Sequence, residues 1–238
     1  RDEEPAGEHA TDAAALPDPH PHDPGGHGRA VGALIRRAYS IASPPSTTDH
    51  LEFYIAHVEG GRFTDRLWRL RAGDRPWLDA HARGHCTLDG VPPTSRLVMV
   101  ATGTGVAPFM SMLREHAGDA RWRKAVLIHG VRLCRDLGYR DELEHRAQTD
   151  DAFVYVPTVT REPDDAPWPG RRGRVGTILS DDRTFEPLAG FALDPADAHV
   201  MLCGNPTMIA DIRTYLESRG FITAEHGRAG QVHFERYW

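Results

Sequence analysis

No apolar run in this chain approaches the roughly 18 residues that a membrane-spanning helix needs, and the first residues hold no apolar core of a secretory signal. Cysteine is scarce. Cys86, Cys134 and Cys203 are odd in number and far apart, which excludes a disulfide framework and the usual zinc spacings. Nor do they supply the clustered thiolates of an iron–sulfur centre. Reduced thiols in a cytoplasmic protein are the simplest expectation. Excess positive charge is also lacking: the net charge is −6, against the basic balance of a general nucleic-acid binder. What remains, with 40% hydrophobic and 26% charged residues over 238 positions, suits a soluble globular chain of one or two domains.

Residues 1–29 are rich in Pro, Gly, Asp and His and show no period of a helix or strand. Their apolar content is too low to offset the entropy of ordering, so they read as a disordered tail. His9, His20, His22 and His27 in this tail are better explained by solvation than by metal binding. Order is expected from about Ala30. "LEFYIAHV" (51–58) carries β-formers and reads as a strand. In "GGRFTDRLWRLRAGD", Thr64 is placed to cap a short helix with Phe63, Leu67 and Leu70 on one face. "HCTLDGVPP" reads as a strand and a proline-marked linker.

From Arg96 the rhythm changes. "RLVMVA", 125–131, 153–160 and 199–204 are short apolar runs of the kind buried parallel strands show. "APFMSMLREH", 140–148, 175–181 and 206–220 between and after them read as helices. This alternation implies a parallel sheet with helices on both faces. A division follows: a tail over 1–29, a smaller β-rich part over 30–94, and an α/β domain over 95–238.

Ligands of such sheets sit beyond the carboxyl ends of the strands. "TGTGVAPF" joins a strand to a helix there: Gly103 and Gly105 admit close approach, and the helix start favours phosphate. It lacks the lysine of a Walker loop and the third glycine of the dinucleotide fingerprint, so a tight structural turn remains the other reading. Arg132, Arg161 and Arg174 fall at successive strand ends. Neighbouring strands lie about 4.8 Å apart, so these guanidiniums can converge on a dianionic phosphate; singly, each reads as a solvated surface arginine. "LCGNPTMI" is a second strand-to-helix turn, where Cys203 is either an ordinary buried thiol or the wall of a planar ligand's site. "RRAYSIASPP" (36–45) offers Arg37 for a pyrophosphate, Tyr39 for a flat ring and Ser40 for a ring nitrogen. "GGRFT" adds a second anion site, and the terminal "FERYW" ends in aromatics that something is expected to cover.

In this order and spacing, R-x-Y-S-x-A-S, G-x-F-T, T-G-T-G-x-A-P-F and C-G-N-P-x-M resemble the bacterial ferredoxin/flavodoxin–NADP reductases, over roughly residues 33–238. The resemblance implies an antiparallel flavin-binding β-barrel followed by a parallel-sheet NADP-binding domain. It implies that Arg37, Tyr39 and Ser40 hold FAD, with Gly61, Phe63 and Thr64 as a second flavin phosphate contact. Thr102, Gly103, Thr104 and Gly105 would lie by the NADP pyrophosphate, with Gly204 and Asn205 lining the same site. Arg132, Arg161 and Arg174 would take the 2′-phosphate, which favours NADPH over NADH. Ser40, Cys203 and Glu235 are the implied catalytic group: Ser40 and Cys203 shape the contact of nicotinamide and flavin, and Glu235 is a proton route. Tyr237 and Trp238 would pack on FAD.

The implied activity is hydride transfer between NADP(H) and FAD, with single electrons passing to or from ferredoxin or flavodoxin. A monomer is expected, with no nucleic-acid or membrane partner and with Arg36, Arg66, Arg69 and Arg71 as a possible basic rim. Two alternatives stay open: the reductase component of an oxygenase system, and a nucleotide-binding protein without flavin turnover. The second arises from a departure. The family's strands before R-x-Y-S are not found here, so the barrel is expected to be missing strands or altered. A further departure is "LDAHARGHCTL", where His81 replaces the lysine of the family's basic run.

Overall fold

The computed structural model describes residues 35–84, 86–225 and 228–236. The expected tail over 1–29, the barrel strands sought ahead of Arg37, and Tyr237 and Trp238 fall outside them. The described residues from Arg36 onward pack as one compact unit.

The unit is built on a six-stranded, wholly parallel sheet: β1 (Arg96–Thr102), β2 (Lys124–Val131), β3 (Phe153–Val159), β4 (Arg171–Arg172), β5 (Ala198–Gly204) and β6 (Val232–Arg236). The order across it is β4-β3-β2-β1-β5-β6. The chain thus runs outward from β1 to one edge, then returns to β5 on β1's other side. The reversal between β1 and β5 is a topological switch point, where the loops after neighbouring strands part and leave a crevice.

Helices α2 (Ala107–Glu115), α3 (Arg140–Thr149), α4 (Val175–Ser180), α5 (Asp182–Ala189) and α6 (Pro206–Ser218) cover the sheet; α1 (Thr64–Leu67) lies before it. None of the described helices is long and apolar enough to cross a membrane. Alternation along β1 explains the two layers. Val98 and Val100 join Val126, Ile128, Val200 and Leu202 in a core closed by α4, α5 and α6. Leu97, Met99 and Ala101 join Leu127 and Met201 in a second core closed by Phe109, Met110 and Leu113 of α2 and Leu143 of α3. Both faces of the central strands are covered, which is why they read as unbroken apolar runs.

Before β1 three expectations fail. Residues 51–58 form no strand: Phe53 makes one antiparallel bridge to Ile41, and Ala42 N–H donates to Glu52 O at 2.8 Å. β-propensity without a partner along its length does not make a ladder. Thr64 is the first residue of α1 rather than its cap; its hydroxyl donates to Val58 O at 2.9 Å, and Leu70 is 42% exposed. The described part of "HCTLDGVPP" is a turn, closed by Val91 N–H to Leu88 O at 3.0 Å and braced by Arg121 Nη2 on both carbonyls. Farther on, the stretch after Thr102 is a 3-10 turn, Gly103–Val106.

At the end of the sheet opposite the crevice, His199 and His233 stack with centroids 5.5 Å apart, Nδ1 to Nε2 3.2 Å. Burial, with His233 alongside, pushes His199 down to about 4, and burial lowers His233. Both folded values lie below the unfolded one near 6.5. The unfolded chain therefore binds more protons between about pH 4 and pH 6.5, and stability is lost as pH falls through that window. Thermal melting should drop on acidification there, and His199→Gln should flatten the slope. An unchanged slope would place the acid sensitivity elsewhere.

Candidate functional site

The crevice is formed by two turns locked together. Thr102 ends β1, and its Oγ1 accepts from Asn205 N–H at 2.8 Å. Asn205 caps α6, its Oδ1 accepting from Thr207 N–H at 2.9 Å and Met208 N–H at 3.1 Å. Pro206 follows as the first helical residue, where a missing N–H costs nothing. Two glycines allow the turns to approach this closely. A Cβ on Gly105 would lie 2.3 Å from Cys203 O, and one on Gly204, at φ +128°, would lie 2.3 Å from Thr102 Oγ1. Gly103 differs: it sits at φ +55° with open space where a Cβ would point. Glycines thus floor the turn at the start of α2, and a helix start of this kind favours an anion.

Cys203 is buried at the end of β5, in register with Glu235 of β6. Cys86 packs against the same cluster. Its contact with Cys203, then burial, then nearby Glu235, push the Cys86 thiol well above its ordinary value. Gly84 is also close to Glu235: a Cβ there would stand 2.9 Å from Oε1. Cys86 and Gly84 were not foreseen, because nothing in their local sequence marks contact with a strand about 150 residues on.

The three arginines follow neighbouring strands of the sheet, β2, β3 and β4. Arg161 N–H donates to Arg132 O at 2.8 Å, tying the loops after β3 and β2. Arg174 follows β4, which pairs with the end of β3, and Thr158 Oγ1 holds Gly173 O at 2.9 Å. All three are exposed, and none forms an ion pair with a described residue. Beside them is a cleft of about 180 Å³ lined by Arg171, Arg172, Gly173, Arg174 and Thr177. Sequence reasoning missed Arg171 and Arg172, since β4 is only two residues long. Arg172 donates to Glu162 O and Pro163 O and so braces the loop that carries Arg161.

The R-x-Y-S and G-x-F-T stretches also meet. The rings of Tyr39 and Phe63 lie 5.7 Å apart at 34°. Burial raises the Tyr39 phenol, against the pull of Arg37. Gly61 makes the tight turn beneath: a Cβ on it would lie 2.4 Å from Thr64 Oγ1 and 2.7 Å from Val58 O. The segment after Ser40 is fastened to α2. Ser111 Oγ donates to Ser43 O at 2.9 Å, Arg114 Nη1 to Ala42 O at 3.2 Å, and Ser46 N–H to Glu115 Oε2 at 2.9 Å. Arg114 also pairs with Glu52 at 3.0 Å and Glu142 at 2.7 Å, which raises its already high pKa. The helix that opens at the glycine turn therefore carries the R-x-Y-S segment on its far turns.

A nucleotide-dependent oxidoreductase is the class that this sheet and crevice define: residues 99–214 match the family described as the oxidoreductase NAD-binding domain. The chain is 34% identical to the ferredoxin–NADP reductase of Pseudomonas aeruginosa, over 86% of this chain and 81% of that one. It is 35% identical to ferredoxin–NADP reductase A of Sorangium cellulosum, over 87% and 75%. Among solved structures, a ferredoxin–NADP+ reductase from Neisseria gonorrhoeae with bound FAD and NADP superposes with a TM-score of 0.75, at 30% identity over 85% of this chain and 80% of that one. The chain belongs to the ferredoxin–NADP reductase family.

Proposed function

We propose that this protein is a FAD-dependent ferredoxin–NADP(+) reductase. The observation that carries the reading is a chain of contacts through all four motifs. Tyr39 meets Phe63, the segment after Ser40 is fastened to α2, α2 begins at the Thr102–Gly105 turn, and Thr102 is bonded to Asn205 beside Cys203. A flavin on the first pair of motifs and a nicotinamide on the second would thereby be held on one connected frame. Bound FAD supplies hydride exchange with the nicotinamide and release of electrons one at a time to ferredoxin or flavodoxin.

What the chain's own residues contribute is binding and orientation. Arg37 would face the flavin pyrophosphate, Tyr39 the ring face and Ser40 the ring edge. Gly61, Phe63 and Thr64 would form the second phosphate contact. Thr102, Gly103, Thr104 and Gly105 would receive the NADP pyrophosphate, with Gly204 and Asn205 giving room, and Arg132, Arg161 and Arg174 would take the 2′-phosphate. Cys203 would pack by the nicotinamide, with Glu235 as a proton route at its side. In this reading residues 30–94 would serve FAD, although their described part holds one antiparallel bridge and no strand of the expected barrel; 95–238 would serve NADP, and Tyr237 and Trp238 would pack on FAD.

A second reading, a reductase feeding an oxygenase, draws on a cytochrome P450 reductase from Amycolatopsis, which matches at 26% identity with a TM-score of 0.59, covering 57% of that chain. The two share flavin and nucleotide and differ in acceptor. The purified protein should show flavin absorption after reconstitution with FAD, bleach with NADPH, and then reduce a ferredoxin or flavodoxin. No flavin uptake would overturn the reading in favour of a nucleotide-binding protein. Bleaching without turnover on either acceptor would favour the second reading.

A further inference from the structure

His129 lies near the carboxyl end of the apolar strand β2, with no solvent exposure. A polar ring in such a place must satisfy its nitrogens, because an unpaired buried polar group is costly. Both are satisfied. Nε2 lies 3.1 Å from Gly103 O, and Nδ1 lies 3.3 Å from the Tyr155 hydroxyl on β3. The partners fix the tautomer. A carbonyl oxygen only accepts, so Nε2 carries the proton; Nδ1 is then bare and accepts from Tyr155 O–H. Burial pushes the ring down to about 4, against the opposing pull of Gly103 O, so it is neutral near pH 7.

The consequence lies on the other side of the Gly103–Thr104 peptide. No cis peptide bond occurs among the described residues, and in a planar trans peptide the C=O and N–H point in opposite directions. With Gly103 O drawn to His129, Thr104 N–H must point the opposite way, away from the imidazole. Gly103 at φ +55° is a residue whose peptide turns easily, since glycine has little preference between the two signs of φ. The 3-10 turn's own i→i+3 bond, from Val106 N–H, falls on the same carbonyl; the imidazole adds a second donor on its other lone pair and so fixes the direction of the peptide, and with it that of Thr104 N–H.

We propose that His129 is a positioning residue for the dinucleotide: through the carbonyl of Gly103 it aims the amide of Thr104 at the cofactor's pyrophosphate. This rests on the cofactor reading given above. Tyr155 acts one step farther back by selecting the tautomer that can donate.

The test separates the pyrophosphate from the rest of the nucleotide. In the FAD-loaded enzyme, His129→Leu should weaken NADP+ by about tenfold or more, the order expected for one charge-assisted hydrogen bond. Binding of adenosine 2′-phosphate, which has no pyrophosphate, should stay within about twofold of wild type. His129→Gln, whose amide N–H reaches about where Nε2–H does, should recover most of the loss. With NADPH as substrate, KM should rise more than kcat falls. Equal losses of both ligands, an unchanged NADP+ affinity, or a Gln variant no better than Leu would each overturn the proposal. Nitrogen-15 NMR of the unmutated protein provides a check that does not depend on a variant folding. It should report a His129 ring with Nε2 protonated and no titration down to about pH 5; a proton on Nδ1 would overturn the proposal. Wild-type protein that bound neither ligand would instead defeat the cofactor reading itself.

Discussion

Replacing Arg132 and Arg174 together by alanine should raise the KM for NADPH by about 100-fold while leaving that for NADH within about threefold. Each guanidinium that grips a phosphate through charge-assisted hydrogen bonds contributes roughly 1.5–3 kcal/mol, and each 1.4 kcal/mol is a factor of ten. The two contacts act on a group that NADH lacks, so the loss should be confined to the phosphorylated cofactor. The structure makes the experiment clean. Both side chains are exposed and make no ion pair with a described residue, so their removal leaves no buried charge unpaired. Arg174 precedes α4 through its backbone, whose carbonyl accepts from Thr177 N–H at 3.1 Å; alanine keeps that bond. Rising salt should narrow the NADPH advantage of the wild type, since charges this exposed are screened. Comparable losses for NADPH and NADH would show that these arginines do not read the 2′-phosphate.

What the sequence disclosed and what it hid divide at Arg96. Beyond it, strands and helices were legible to within a residue or two. The expected strand over 125–131 is Lys124–Val131, and the expected helix over 140–148 is Arg140–Thr149. These elements are buried on both faces or amphipathic, so their burial is written into their apolar spacing. Besides the two-residue β4, two longer pieces there were missed. The helix over Asp182–Ala189, which holds Pro187 inside it, was not foreseen, although Asp181 caps it and Gly190, at φ +76°, ends it, both readable signals. β6 looked like a terminal aromatic stretch, although Val232 and Phe234 alternate as a strand should.

Before Arg96 composition misled, because a strand is defined by its neighbour rather than by its own residues. "LEFYIAHV" has the residues of a strand and finds a single rung of partner. The candidate site was legible where motifs are local, as in the glycine turn and the arginines at strand ends. It was not legible where distant segments meet, as Cys86 meets Cys203. His129 falls between these cases. It is the lone polar side chain in "AVLIHGV", and a buried strand rarely carries one without a partner waiting.

Two glycines a few ångströms apart in the same crevice should respond in opposite ways to alanine. At Gly204 the backbone sits at φ +128°, a region that essentially only glycine occupies, and the new Cβ would lie 2.3 Å from Thr102 Oγ1 and 2.7 Å from Thr102 O. The second of these is backbone at the end of a central strand and cannot swing aside. Strain of roughly 1–3 kcal/mol and overpacking of similar size add. Gly204→Ala should therefore lower the melting temperature by about 10 °C or more, at the 2–4 °C per kcal/mol expected for a chain of this size. It should also loosen the Thr102–Asn205 bond that joins the two turns. At Gly103 the backbone is at φ +55°, left-handed but accessible, and a Cβ meets nothing within 4 Å. Gly103→Ala should cost only about 1–2 kcal/mol. That methyl group, however, would project into the open space where the pyrophosphate is expected to lie. Its fold should survive while its KM for NADPH rises about tenfold, the reach of one displaced phosphate contact. Melting curves and NADPH titrations on the two variants decide the matter. A Gly204→Ala protein as stable as wild type would refute the packing account of the switch point. A Gly103→Ala protein with unchanged NADPH kinetics would move the pyrophosphate away from this turn.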